Sequence, residues 1–583
     1  LKYPFYHQPV VEPFTHVGLR PIVTIDPLFP EHRSFASSTS VVFLGHVVTS
    51  TKQAFDLYHH FKPPPRGLGH SCGPIINRIE ATAFQPSPVM TLVALSCRMA
   101  VDPPFLPFSD LVWSQAFRLF SVLFPDMFVK IERKTQAEII SHLASGKAQI
   151  YSATLAEIQE YGAMSVKRMT RFKAFAKVEK AVVSVPCILN SHVDKAKRVP
   201  RLINNPPAQL NVHLAPFTSA VASLVKSVFN HSSSSLTRNI LYASGCTPPV
   251  INSFMQQAWD FSLKILEDDV SFMDLSQSLT SLTEISHFIN GRFDNPPSYL
   301  LQLLLSQIQL NIKTTEIQAF LGCHNASGVP TTTLSNSIVC IFARLIALAN
   351  VFINSPLTER TYSDYLLVLA AKVIPSIRMA VAGDDGYLCI CDDAYPYSYD
   401  SSEFLDRYSA GFAHMGLDVG RSKIRTFGPH NWRLSTFLAM RPYYTTGGYC
   451  LGPELARRLS TAFWRINSSV HPVSWLRGNA KANLISGHHV PLWREINQWI
   501  LNNTKGPYYV TSVQDSSTEV DRYSIFYDWV PTGEYDPRAL TEFLVDYGIS
   551  SQDYDHFLSV LDQVTDPFVS LDLPMFDLVL ACQ

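Results

Sequence analysis

Between residues 379 and 390 two apolar segments meet at an acidic turn. Met379, Ala380, Val381 and Ala382 lead into it, and Tyr387, Leu388, Cys389 and Ile390 lead away. Gly383, Asp384, Asp385 and Gly386 lie between. Short apolar runs bounded by turn residues read as strands, and glycine permits the backbone angles of a hairpin turn. The pattern predicts antiparallel strands that present carboxylates at their tip.

A second acidic cluster stands more than a hundred residues upstream, at Asp268, Asp269 and Asp274. Residues 261–267 read as the strand that delivers it. Two carboxylate groups from separate strands, meeting at one edge of a sheet, offer hard oxygen ligands. Mg²⁺ takes one or two such carboxylates together with phosphates and waters. Nucleotidyl transfer needs this arrangement. Two Mg²⁺ ions about 4 Å apart clamp the attacking 3′ oxygen, the α-phosphate and the leaving pyrophosphate. A lone Gly-Asp-Asp is also common in ordinary surface turns, so its neighbours decide the matter.

The 583 residues are too many for one ordinary core and suit several subdomains around a shared cleft. Hydrophobic residues at 46% allow a large interior, and charged residues at 16% fall below the roughly 25% usual in globular chains. That low charge fits burial in a larger assembly. The net charge of −1 excludes a broadly basic nucleic-acid coat, so any phosphate-binding surface must be local. The 10 cysteines include no C-x-x-C pair and no zinc spacing. Cys389 and Cys391 fall on one face of a strand and read as core thiols, reduced in an intracellular setting. No run approaches ~20 apolar residues. Residues 338–353, interrupted by Arg344, read as a buried helix. The first residues lack signal-peptide anatomy. The chain opens on Leu1 and ends in Ala-Cys-Gln, which fits release from a polyprotein and fits trimming equally.

Residues 1–110, rich in proline and aromatics, predict an irregular segment lying over other parts. Residues 111–170 read as helical, and 171–205 are basic. Helices then alternate with short strands to about residue 450, and the remainder reads as helical.

Between the two acidic clusters lie Ser327, Gly328, Thr332 and Asn336, in the pattern S-G-x-x-x-T-x-x-x-N, followed by an apolar helix. With D-x-x-x-x-D before it and G-D-D after it, the order and spacing resemble palm motifs A, B and C of the RNA-dependent RNA polymerases of positive-strand RNA viruses. Any one motif is weak; three in order are a strong signal. Taking Asp274 as the first carboxylate of motif A puts Leu279 second, and taking Asp268 puts Met273 second. Asp269 gives Asp274 second with Ser271 between, a form similar to tombusvirus- and nodavirus-like enzymes.

The resemblance implies that Asp269, Asp384 and Asp385 bind Mg²⁺, with Mn²⁺ able to substitute. It implies that Asp274 and Asn336, with Thr332 close by, meet the incoming ribose, whose 2′-OH both donates and accepts. Ser327 and Gly328 would form the loop touching template and nascent pair. Upstream, Arg171, Lys173, Lys177, Lys180, Lys195, Lys197, Arg198 and Arg201 resemble motif F, which roofs the nucleotide tunnel. There Arg201 and Lys177 would hold the triphosphate, and Lys173, Lys197 and Arg198 would contact RNA. Gly416, Asp418 and Lys423 resemble motif D, in which a lysine is the proposed general acid for pyrophosphate, with Arg421 as a rival. Residues 434–441 resemble motif E, a hairpin supporting the primer end. Arg66 to His70 is a Gly-rich stretch that could guide template entry.

The implied fold is α+β, a closed right hand of fingers, palm and thumb with a small antiparallel palm sheet. Its expected parts are residues 1–170 (N-terminal extension and fingers), 171–260 (fingers), 261–290 (palm), 291–322 (fingers), 323–445 (palm) and 446–583 (thumb). The implied partners are RNA template and product, NTPs, and other viral replication or capsid proteins, in the host cytoplasm or a virion. Two rivals stand beside this expectation: a reverse transcriptase, and an inactive polymerase relative that binds RNA.

Overall fold

The computed structural model describes residues 33–34, 36–61, 67–68, 70–71, 73–77, 80–83, 87–101, 109–143, 145–177, 180–184, 201–233, 236–270, 273–465, 470–509 and 534–581. Lys195, Lys197, Arg198, Arg66 and Ser271 lie outside the described residues. The fold is mixed α+β with small sheets, as the sequence predicts.

A six-stranded sheet has the order β2-β1-β8-β7-β3-β4. Its strands are β1 (Ser40–Phe43), β2 (His46–Val48), β3 (Arg171–Ala176), β4 (Leu202–Asn205), β7 (Gln309–Lys313) and β8 (Ile317–Cys323). Strand β3 alternates strictly, with Phe172, Ala174 and Ala176 buried and Arg171, Lys173 and Phe175 exposed. That is the period of a half-buried strand. The N-terminal stretch is more ordered than its composition suggests. It supplies β1, β2, a helix at Thr51–Phe61 and helix α1 (Pro88–Arg98). Helix α1 starts where Ser87 accepts the Met90 amide and Pro88 occupies the first turn.

A five-stranded sheet has the order β5-β9-β10-β6-β11. Its strands are β5 (Ile240–Tyr242), β6 (Ile265–Asp268), β9 (Ile377–Ala382), β10 (Asp385–Ile390) and β11 (Ile424–Phe427). All its pairings are antiparallel except that of β5 with β9. The sheet is covered on both faces, which explains why its strands read as unbroken apolar runs. Met379, Val381, Leu388, Ile390 and Leu266 join the main core beneath helices α5 (Thr332–Ile353) and α6 (Ser402–His414). The alternate residues Ala380, Tyr387, Cys389 and Ile265 pack on the other side against α3 (Pro248–Phe261). Phe261 ends that helix, and β6 begins only at Ile265. The expected strand over 261–267 is therefore shorter than its apolar residues suggest. Cys389 is a buried strand thiol, and Cys391 lies one residue past the strand end.

Helix α5 has the length and apolarity to cross a membrane, yet 89% of its most apolar window is buried in protein. It is a core helix, as expected. Arg344 sits in its middle with no exposed side chain, against Asp268, whose side chain is 1% exposed. Arg344 Nε lies 3.1 Å from both Asp268 carboxylate oxygens, and its Nη2 is 2.5 Å from Oδ1. The Tyr408 hydroxyl from α6 donates to Asp268 Oδ2 at 2.7 Å. Gly386 makes room for this pair. A Cβ there would stand 2.1 Å from the Arg344 guanidinium carbon. Of the two glycines flanking Asp384 and Asp385, only Gly383 adopts a left-handed turn conformation (φ +67°).

The hairpin expected over 434–441 starts later. It consists of β12 (Met440–Thr445) and β13 (Gly448–Pro453), and residues 434–439 form turns in which Leu438 and Ala439 have positive φ. The expected boundary at 445/446 therefore falls inside the turn of one hairpin. Beyond it, helices Pro472–Gly487, Trp493–Asn502, Pro537–Tyr547, Ser551–Gln563 and Pro574–Ala581 build a second core. Ile76 from near the start of the chain belongs to that core. Ile75–Ile76 pairs in parallel with Ser570–Leu571, and the Asn77 side chain caps the join by bonding Leu573 and Asp577.

Breaking a buried ion pair from one side strands the other charge. Arg344→Met should cost about 3–5 kcal/mol in chemical denaturation. Adding Asp268→Leu to it should recover much of that loss, because no unpaired carboxylate remains. A double variant no more stable than Arg344→Met would show that the pair does not govern the core.

Candidate active site

Strand β6 ends at Asp268, which pairs with Gly386 of β10 on one side and Ile424 of β11 on the other. Carried one residue further, the register sets Asp269 level with Asp385 and with Lys423. Because side chains alternate, Asp268 turns into the core toward Arg344 while Asp269 is exposed. Asp384 and Asp385 are exposed at the same edge, at the tip of the β9–β10 hairpin. The three carboxylates expected together from sequence thus share one sheet edge. Asp268, fully engaged by Arg344 and Tyr408, is not available there.

Helix α5 holds the acidic turn at both of its residues. The Gly383 amide donates to Ser337 Oγ at 2.8 Å, and the Asp384 carbonyl accepts from Arg344 Nη2 at 2.9 Å. Sequence reasoning missed both partners. Arg344 did leave a signal, since a lone charge inside an apolar helix needs a partner. Ser337 left none.

The Asp385 carboxyl is pushed up to about 6, first by loss of solvent as protein surrounds it and then by the charge of Asp384 and, less, of Asp269. Arg344 and Arg457 oppose the shift. Arg457 comes from Leu455–Leu459, far along the chain, and no motif marks it.

Beside this edge lies a chain of amides. Asn336 Nδ2 donates to Asp274 Oδ1 at 3.3 Å. Gln277 Nε2 and Asn325 Nδ2 both donate to Asn336 Oδ1, each at 2.6 Å. Asn325 also donates to Ser335 Oγ at 2.9 Å, and its amide donates to the Asp274 carbonyl at 3.0 Å. An ionised carboxylate only accepts, so Asp274 fixes which way each amide points. The Asp274 carboxyl is itself pushed up to about 6 by burial; Asn336 lowers it, Asp384 raises it, and Arg201 and Arg98 lower it. Asp274 and Asn336 therefore meet directly, and the Arg201 charge acts on the same carboxyl. Gln277, Asn325 and Arg98 were not foreseen.

The loop before α5 docks on β4. Ser327 Oγ donates to the Leu202 carbonyl at 3.0 Å and accepts from the Asn204 amide at 3.2 Å. Gly328 has φ +97°, and a Cβ there would meet the Asn204 carbonyl oxygen at 2.9 Å. Both residues thus join the loop to the strand that follows Arg201. Thr332 opens helix α5. Its hydroxyl donates to the carbonyls of Ala326 and Val329 at 2.5 and 3.1 Å, so it shapes the loop itself. The Lys177 amide donates to the Arg201 carbonyl at 2.7 Å, which brings those two residues to one end of the β3–β4 pair. Lys173, on β3, is exposed. Lys423 closes a short turn whose register is level with Asp269, whereas Arg421 pairs with Asp406 at 3.6 Å.

Among the described residues no three carboxylate, His or Cys side chains close into a metal cage. The donor set here is an open edge of hard oxygens, with the Asp385 carboxyl raised beside Asp384 and Asp269. That suits Mg²⁺, which is usually held by few carboxylates and completed by phosphates and water. No protein-family model matches this chain, and no curated protein matches it.

The raised Asp385 carboxyl has a direct consequence in metal-free buffer. Above pH 6 the folded protein holds an ionised group that it disfavours; below about pH 4 the group is protonated in both states and the penalty vanishes. Asp385→Asn should therefore melt higher than the parent at pH 7.5, with the gain fading toward pH 4. A pH-independent difference in melting temperature would refute this account of the edge.

Proposed function

We propose that this chain is an RNA-dependent RNA polymerase of a positive-strand RNA virus. On this reading the five-stranded sheet is the palm, the six-stranded sheet belongs to the fingers, and the C-terminal helices form the thumb. The observation that carries the reading is the shared sheet edge of Asp269, Asp384 and Asp385, with the Asp274–Asn336 pair beside it. Fold alone would not support a chemistry; these side chains do.

Mg²⁺ would be held by Asp269, Asp384 and Asp385, and would supply positive charge that stabilises the attacking and leaving oxygens of an in-line displacement. Asp274 and Asn336 offer an acceptor and a donor to a ribose 2′-OH. An NTP satisfies both, whereas a dNTP leaves buried polar groups unpaired. Gln277 and Asn325 keep the Asn336 amide turned for this task. Arg201 and Lys177 bring positive charge to the triphosphate. Lys423, level with Asp269 in the strand register, would hand a proton to the departing pyrophosphate. Base pairing would read the template, with protein contacts following phosphate and sugar. The work would be done in the host cytoplasm, with other viral replication or capsid proteins as partners.

Primer extension on an RNA template with NTPs and Mg²⁺ tests the reading. Asp384→Ala should reduce extension about 10³-fold or more while RNA binding is kept. Undiminished extension by that variant would sink the proposal, and a preference of the parent for dNTPs would point to a reverse transcriptase instead. Asn325→Ala should lower the preference for NTP over dNTP by about tenfold, with the NTP rate itself falling less.

A further inference from the structure

Behind the carboxylates the five-stranded sheet carries a second polar row. In the register of β10, β6 and β11, Glu267 stands between Tyr387 and Arg425. Carried two residues toward the edge, the same register reaches Asp385, Asp269 and Lys423. Side chains two apart on a strand share a face, so the second row lies about 7 Å behind the first on one face.

This row holds the turn at residues 434–439, which leads into the β12–β13 hairpin. The Thr436 amide donates to Glu267 Oε1, and its hydroxyl donates to Oε2 at 3.2 Å. Arg425 Nη2 donates to the same Oε2 at 2.6 Å and to Thr436 Oγ1 at 3.2 Å. The Ser435 hydroxyl donates to the Trp432 carbonyl at 2.6 Å, which spends its one hydrogen. The Tyr387 hydroxyl, 2.7 Å away, therefore donates to Ser435 Oγ, and it accepts from Trp259 Nε1 at 2.9 Å. Glu267 is buried, and a buried carboxylate is costly unless donors meet it. Apolar packing also joins the turn to the sheet, since Phe437 shares a cluster with Ile265 and Cys389. Apolar contacts do not fix a position along the strand, whereas directed bonds do.

The placement passes on from the turn. The Ala439 carbonyl accepts from the Glu454 amide at 3.1 Å, and Glu454 caps the helix Leu455–Leu459, which carries Arg457. The far strand of the hairpin is fastened separately. Asn252 accepts from the Leu451 amide, and Gln256 donates to the Tyr449 carbonyl, both from α3. The row thus governs the turn, not the attachment of the hairpin.

From this we infer that Glu267, with Tyr387 beside it, is a positioning residue that sets how turn 434–439 stands against the carboxylate edge, and so where the 3′ end of a growing strand is seated. The seating of that strand rests on the polymerase reading. The hold on the turn does not.

Glu267→Gln removes the charge that Arg425 meets, and Tyr387→Phe removes the bond to Ser435 while keeping the ring. Hydrogen exchange in the full chain reads the turn directly. Both variants should exchange about tenfold faster over residues 435–442, with parental protection in α5 and α6. In primer extension each should raise KM for primed RNA about tenfold, with KM for NTP and the preference for NTP over dNTP within about twofold of the parent. The double variant should raise KM for primed RNA by less than the product of the two, because both hold one turn. Thr436→Val, which alters the turn and leaves the sheet untouched, should shift both readouts the same way by about threefold, and it keeps the test open if a strand variant fails to fold. Parental exchange over the turn in these variants would overturn the inference. So would faster exchange with a parental KM for primed RNA. Faster exchange with no extension by the parent keeps the hold on the turn and removes the polymerase reading, and the seating with it. Extension by the parent with parental exchange in every variant keeps the polymerase and removes the positioning role.

Discussion

Arg344 brings a full charge into a helix otherwise made of apolar side chains, and the site follows from how that charge is satisfied. Its partner Asp268 is one residue from Asp269, and the same Nη2 that meets Asp268 also donates to the Asp384 carbonyl. One guanidinium thus ties the end of β6 to the turn between β9 and β10. Buried ion pairs are poor sources of net stability, because desolvation offsets the attraction. What this pair supplies is geometry. It takes one of two adjacent aspartates out of solvent and leaves the other at the edge, so that alternation along a strand becomes a division of labour.

The same economy recurs beside the edge. Asp274 is acceptor-only when ionised, and three amides align behind it in a fixed sense. The loop carrying Ser327 and Gly328 then fastens this cluster to β4, and through β4 to the six-stranded sheet. The two sheets are therefore linked by hydrogen bonds at the point where their polar residues face each other. A shift of either sheet would be felt at Asn336.

Much of the site was legible in sequence because its residues are spaced by local geometry. The hairpin around Asp384 announces itself through Gly383 and two apolar runs. Asp269 rather than Asp268 follows from the polymerase motif that the segment resembles, with its five-residue step to Asp274. The buried helix was legible from its length and apolarity. The residues that escaped were those whose partners come from far along the chain. Arg98 and Arg457 act on carboxylates remote in sequence, and nothing nearby hints at it. Gln277 and Asn325 look like ordinary polar residues until the fold turns them on Asn336. Propensity also misled at the edges of elements. Phe261 belongs to a helix end and Leu263 to the connection after it, and proline-rich composition concealed real strands and helices before residue 110.

The join between Ile75–Ile76 and Ser570–Leu571 bears on how the protein is made. Synthesis runs from the N-terminus, so residues 75–76 emerge from the ribosome long before residues 570–571, with which they pair. Closing a loop of 495 residues adds only a slowly growing entropic cost, but the contact cannot exist on a nascent chain. The second core, which takes in Ile76, is therefore completed only once residues 570–571 have been made, long after Ile76 itself.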